Sequence, residues 1–253
     1  MRGKPRIHLD PCPSKLNCQK GVNKGAGCLT DQIEKLDCCG GVLAQDFGQI
    51  AFTEKIKMAQ ENTLNVVNQA VADPSTVGLA SFGIALFTLS FLNAGLIGPN
   101  AVSIIIPMCL LTALIHFFAC LNGFKKNELF TGLVFGIYGM FWAIYGLMDL
   151  GVAMKLYLVD ANTLLVFLIA YTIFTVYVLA AAFVTNKAVI LTLVALLAVF
   201  VLLDLGLAGY PSLLVVAGYV GIVDGLLALY VSAAGLLGAL WGRSVLPVGP
   251  IAG

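Results

Sequence analysis

From residue 77 to residue 237 the chain is a series of apolar runs, each long enough to cross a bilayer, and no other feature narrows its possible folds as much. A hydrocarbon core about 30 Å thick takes roughly 20 residues of helix. Six stretches meet that length, at 77–97, 101–121, 129–148, 163–184, 188–207 and 213–237. The breaks between them hold helix-stopping or polar residues: Gly98-Pro99-Asn100, Asn122 to Asn127, Asp149 to Asn162, Thr185-Asn186-Lys187 and Gly209-Tyr210-Pro211. A transmembrane β-barrel needs segments of about ten residues that alternate in polarity, and these runs do not alternate. The reading is an all-α membrane protein with six transmembrane helices, antiparallel neighbours and short loops.

Composition agrees. The chain is 60% hydrophobic and 11% charged, against about 45–50% and 25% for soluble domains. That excess exceeds what a core of this size can enclose, so part of it must face lipid. A soluble enzyme, a secreted disulfide scaffold and a disordered tail are excluded. The charges are unevenly placed, with 17 of the 27 in residues 1–77. The chain therefore divides into a polar segment, 1–72, and a membrane domain, 73–250. No apolar stretch follows Arg2, Lys4 and Arg6, so no cleavable signal peptide is expected.

Lysine and arginine near helix ends set orientation. Lys125, Lys126, Lys187 and Arg243 fall on the side of the amino terminus, and only Lys155 on the other. Both termini are expected in the cytoplasm, with the protein in the cell membrane. The near-zero net charge of +1 gives no reason to expect nucleic acid.

Small residues recur at Gly132, Gly136 and Gly139 in the third run and at Gly218, Gly221 and Gly225 in the sixth. Such spacing lets helix backbones approach closely, within one subunit, between protomers or along a pore wall. Ionisable and polar groups at membrane depth are costly and mark cavities or partners. Asn93, His116 and Asp224 are the polar candidates for a pore. Asp224 reads as a protonated residue, a pore-facing carboxylate or a carboxyl bonded between helices. Asp204 reads as a group at the far membrane interface. Nothing resembles a nucleophile–base pair, a phosphate loop or a zinc-ligand helix, so neither an enzyme, a cofactor nor a metal is expected.

Several ordered patterns resemble the acetate uptake transporter family, also called the GPR1/FUN34/YaaH family, which includes the succinate–acetate permeases. Its opening signature, Asn-Pro-Ala-Pro-Leu-Gly-Leu, is similar to Asp73-Pro74-Ser75-Thr76-Val77-Gly78-Leu79, which keeps Pro74, Gly78 and Leu79. Asp73 can cap a helix as asparagine does. Asn93-Ala94-Gly95, Phe124-Lys125-Lys126-Asn127, Tyr138-Gly139-Met140-Phe141-Trp142 and Gly218-Tyr219-Val220-Gly221 resemble later family patterns. The tail from Gly242 to Gly249 is similar to Gly-Arg-x-Val-Leu-Pro-x-Gly. The resemblance implies a six-helix protomer around a pore, a homohexamer, and passage of acetate and related small monocarboxylates, succinate included, coupled to protons. It also implies a constriction at Phe82, Tyr138 and a residue of the fifth helix, Leu196 or Leu197. His116 stands where relatives often carry glutamine, and Asp224 where they carry an apolar or small residue. The alternatives are a channel for another small solute, such as urea or an amide, or a membrane-embedded sensor.

Residues 1–72 lie outside the resemblance and hold five of the seven cysteines: Cys12, Cys18, Cys28, Cys38 and Cys39. Their spacing contains no Cys-x2-Cys pair, so a metal reading is weak, and a cytoplasmic site disfavours disulfides. Ile50, Ile56, Leu64, Val67 and Val71 recur at roughly helical spacing, predicting an amphipathic helix over 50–71. It would lie on the membrane surface or bundle with its copies.

Overall fold

The computed structural model describes residues 52–62 and 72–249. Residues 52–62 are helical. The rest of the amphipathic stretch expected at 50–71 and the five amino-terminal cysteines lie outside the described residues.

Six long helices follow: α1 (Pro74–Asn93), α2 (Val102–Lys125), α3 (Leu129–Ala153), α4 (Ala161–Ala182), α5 (Lys187–Leu207) and α6 (Ser212–Trp241). With 20 to 30 residues each, all are long and apolar enough to cross a membrane. The outward faces carry the surplus of apolar side chains: Ile104, Leu111, Leu114 and Phe118 of α2 are all exposed. The chain is a multi-pass membrane protein.

Local chemistry explains where the helices depart from the apolar runs. α1 begins three residues before its run because Asp73 caps it, Oδ1 accepting from the Ser75 N–H at 2.9 Å, and Pro74 occupies the first turn. α2 continues past its run to Lys125. It then ends in a turn at Asn127 (φ 58°), where the Glu128 N–H donates to the Gly123 carbonyl at 2.9 Å. α4 is capped by Asp160, whose Oδ2 accepts from Thr163 Oγ1 at 2.6 Å and whose Oδ1 accepts from the Thr163 N–H at 2.9 Å. These bonds, the hydroxyl first, hold the exposed Asp160 carboxyl below its usual range. α6 runs on to Trp241 and stops where Gly242 takes a left-handed conformation at φ 63°.

The helices close into a ring. α1 packs along α6 and along α2, α2 along α3, α6 along α5, and α5 along α4. The α3 and α4 backbones scarcely touch, and aromatic side chains complete the ring between them. Phe141 of α3 stacks on Phe167 at 5.5 Å and meets Tyr171 edge-on at 4.9 Å, both from α4. On the opposite side, α1 and α6 meet backbone to backbone. A Cβ on Gly225 would lie 2.8 Å from the Phe87 nitrogen and 2.9 Å from the Gly83 oxygen. Only glycine permits that approach.

Candidate functional site

Two cavities lie inside the ring, one above the other. The first, about 470 Å³, reaches the end of the bundle where α1 begins and α6 ends, and its lining includes Asp73, Leu79, His116, Asn186 and Leu246. The second, about 270 Å³, reaches toward the opposite helix ends and is lined among others by Asn93, Trp142, Leu168, Leu207 and Leu214. Their linings share three residues: Phe82 of α1, Tyr138 of α3 and Leu196 of α5. All three are buried.

Phe82 is held in this waist by other rings. Its centroid lies 6.4 Å from Tyr138, 6.5 Å from the His116 ring and 6.3 Å from Trp142. Tyr138 is fixed at its far end. Its hydroxyl lies 2.9 Å from Thr175 Oγ1, while Thr175 Oγ1 is 2.7 Å from the Tyr171 carbonyl. A carbonyl only accepts, so the single Thr175 hydrogen goes to Tyr171 and Tyr138 is the donor of the pair. Leu197, the alternative for the fifth helix, lines neither cavity. Helical geometry turns it about 100° away from Leu196, so only Leu196 reaches the lumen.

The polar candidates separate. Asn93, at the end of α1, lines the second cavity. His116 lines the first and is 1% exposed. Its Nε2 lies 3.2 Å from the Gly78 carbonyl, which fixes Nε2 as the N–H, and Nδ1 has no partner among the described residues. Asp224, expected as a pore group, does not line the lumen. It lines neither cavity and is wholly buried, with both oxygens lacking a donor among the described residues. Gly221 and Gly225 of α6 turn toward Ser90 and Phe87 of α1, and Asp224, the residue before Gly225, lies about 100° around the helix from it. Asp204, expected at the interface, is half-buried and accepts from Thr172 Oγ1 of α4 at 2.6 Å.

The opening motif has a structural part in the first cavity. Asp73 caps α1 and Leu79 joins the wall. Buried Gly78 gives its carbonyl to both His116 and Ser81 Oγ, the latter at 2.9 Å. The tail is part of the same wall. The Lys187 and Ala188 N–H groups of α5 donate to the Gly249 and Val248 carbonyls at 2.9 and 3.0 Å. Tyr230 Oη donates to the Pro247 carbonyl at 2.9 Å. Ser244, Leu246 and Val248 thereby face the cavity mouth.

Sequence reasoning missed Thr175, Trp142 and this role of the tail. Thr175 had a signal, a hydroxyl in an otherwise apolar run. Trp142 was noticed only as part of a motif, and the folding-back of the tail had no local signature. Neither lining contains a lysine or arginine, and Asp73 is the one carboxylate in them. Among the described residues no group of three or more His, Cys, Asp or Glu side chains is placed to hold a metal.

The GPR1/FUN34/yaaH family profile matches residues 56–250. The succinate-acetate/proton symporter SatP of Escherichia coli is 29% identical over 187 residues, covering 72% of this chain and 97% of its own. An uncharacterized protein of Methanothermobacter thermautotrophicus is 26% identical over 204 residues, 76% of this chain and 98% of its own. A solved structure of the bacterial acetate channel SatP superposes with a TM-score of 0.68 at 28% identity, covering 71% of this chain and 99% of that one.

Proposed function

Because the chain belongs to the GPR1/FUN34/yaaH family, we propose that each copy carries acetate and related small carboxylates across the membrane through the lumen of its own six-helix ring. The observation that carries this reading is the pair of cavities meeting at Phe82, Tyr138 and Leu196. Those three side chains form the constriction. An apolar and aromatic waist accepts the methyl group of acetate and resists hydrated ions, which cannot shed their water there. The relatives named symporter and acetate channel support the substrate. The protein is a transporter and not an enzyme.

The linings also bear on the form in which the substrate crosses. Anion-selective pores present arginine or lysine to the ion. Here neither cavity does, and the one charged lining residue, Asp73, is acidic. A bare carboxylate would leave water with no cation to replace it. Passage together with a proton removes that cost, and the hydroxyls of Thr192 and Tyr138 with the Asn93 amide supply polar contacts along the way. Succinate falls within the same chemistry if both carboxyls are neutralised.

The remaining expectations belong to the same proposal. Both termini lie in the cytoplasm of a cell-membrane protein, as the basic loop residues require. The subunits assemble as hexamers, as the family resemblance implies. Residues 1–72 are the cytoplasmic segment, and the family profile reaches back into its end, to residue 56.

Uptake of labelled acetate by vesicles containing the purified protein tests the reading, with an inward-acidifying pH step and with succinate or urea as competitor. Acetate entry stimulated by the outside-acid gradient and reduced by succinate is the expected result. Urea entry without any gradient and no acetate entry would establish the amide channel instead. Entry of neither would leave the sensor.

A further inference from the structure

Asp224 takes no part in lining the lumen, yet it is the most completely enclosed carboxyl at membrane depth among the described residues. It is 0% exposed, and no donor among the described residues reaches either carboxyl oxygen. A carboxylate removed from water and from every donor carries the cost of a bare buried charge. The close packing around it therefore suits the carboxylic acid, and the carboxylate requires water to reach it.

Water entering beside Asp224 would disturb the seam with α1, because Gly221 and Gly225, which flank the carboxyl on α6, lie against that helix. The residue after Asp224 is Gly225, whose backbone lies against Gly83 and Phe87. A Cβ on Gly83 would stand 2.8 Å from the Gly225 oxygen, and one on Gly225 would stand 2.8 Å from the Phe87 nitrogen. With no side chain between them to absorb a shift, a displacement of α6 passes to the α1 backbone at Gly83. Phe82, the next residue, is the α1 member of the waist.

The surroundings single out this carboxyl. On α1, Gly83, Phe87 and Ser90 are uncharged, and α5 meets this face of α6 at Val199, which packs beside Gly221. One turn away on α6, Gly221 and Ala228 are uncharged. From α3, Tyr138 is the ionisable side chain on that side. His116 is engaged with Gly78 on the terminal side, and Asp204 with Thr172.

We infer that Asp224 is a positioning residue for the waist. Its protonation state sets the packing of α1 on α6 and, through Gly83, the place of Phe82. On ionisation the O–H bond breaks, its electron pair stays on the carboxylate, and the proton passes to the water that enters as the helices part. Uptake of a proton from water reverses the step. The inference rests on the conduit reading above, because it takes Phe82 to be part of a passage.

Trp142 provides a reporter independent of any substrate, since it lines the second cavity with its ring 6.3 Å from Phe82. The chain holds two tryptophans, so Trp241→Phe leaves Trp142 as the sole emitter. In lipid nanodiscs, the infrared spectrum of this variant should contain a carboxylic-acid carbonyl band that Asp224→Asn removes. As pH rises, loss of the band should coincide with a red shift of Trp142 emission. Asp224→Asn should abolish that shift, while His116→Gln should keep it. A shift that persists in Asp224→Asn, or a band unaltered by that substitution, would overturn the inference. Failure of acetate uptake by the unaltered protein would remove the proposed cargo, whereas the band and the emission judge Asp224 directly.

Discussion

Truncating Phe82 to alanine opens the waist at its most crowded point. The ring is 6% exposed and stands within 6.5 Å, centroid to centroid, of Tyr138, His116 and Trp142. Without it, only Tyr138 and Leu196 of the three shared side chains stand between the cavities of about 470 and 270 Å³. Such truncations in tight cores cost about 3–5 kcal/mol. Phe82 already borders a void on each side, so the low end, about 3 kcal/mol, is expected. The effect on selection is separate. A pocket that excludes one extra methylene discriminates by about 1–3 kcal/mol. Loss of one of three waist side chains should give up about 1.4 kcal/mol of that, a tenfold change in ratio. The assay is the ratio of labelled propionate to acetate uptake in vesicles, with protein amounts matched. Val166→Ala, at a position 70% exposed on α4, serves as the control and should leave the ratio unchanged. A Phe82→Ala protein that still takes up acetate with an unaltered propionate ratio would refute the assignment of the waist.

Three further outcomes follow from the same geometry. Tyr138→Phe removes a donor but leaves Thr175 bonded to the Tyr171 carbonyl, costing about 1 kcal/mol. Thr175→Val strands the Tyr138 hydroxyl without its acceptor and should cost more, up to about 3 kcal/mol, so thermal unfolding in detergent should rank Thr175→Val below Tyr138→Phe. Gly225→Ala places a Cβ 2.8 Å from the Phe87 backbone nitrogen, which cannot swing aside. Overpacking of this kind costs about 1–3 kcal/mol and should appear as a lowered melting temperature. The Asp160 cap has a defined pH sense. Its carboxyl titrates lower when folded, so its contribution is present above the unfolded value of about 3.9 and is lost as pH falls through the folded value. Acid unfolding of Asp160→Ala should therefore lose that portion of the pH dependence.

Legibility in the sequence tracked how local the cause was. The helix count, the loops and the start of α1 at Asp73-Pro74 depend on neighbours along the chain, where span length and caps act directly. Phe82 and Tyr138 entered through motifs carried by single helices. The fifth-helix residue stayed between Leu196 and Leu197 because the run around it is apolar on every side; Thr192, one turn before Leu196 and lining the same cavity, is the mark that separates them. Asp224 went astray for a related reason. Its depth in the membrane was plain, but which sides of α6 meet the lumen is decided by packing between distant parts of the chain, such as that of Gly225 on Gly83.

What the sequence determined by itself is a consequence of solvent. In lipid every backbone group must find its bond within its own helix, so apolar runs of this length have one available conformation. Which faces then turn inward is not a matter of hydrophobicity, because lipid tails and helix interiors are equally apolar. The tertiary structure settled it through close packing, with α1 and α6 locked by glycines, α3 and α4 bridged by aromatic rings and by the bonds of Tyr138 to Thr175 and of Tyr171 to the Ile137 carbonyl, and the tail folded onto α5. The lumen and its waist are what that packing leaves unfilled.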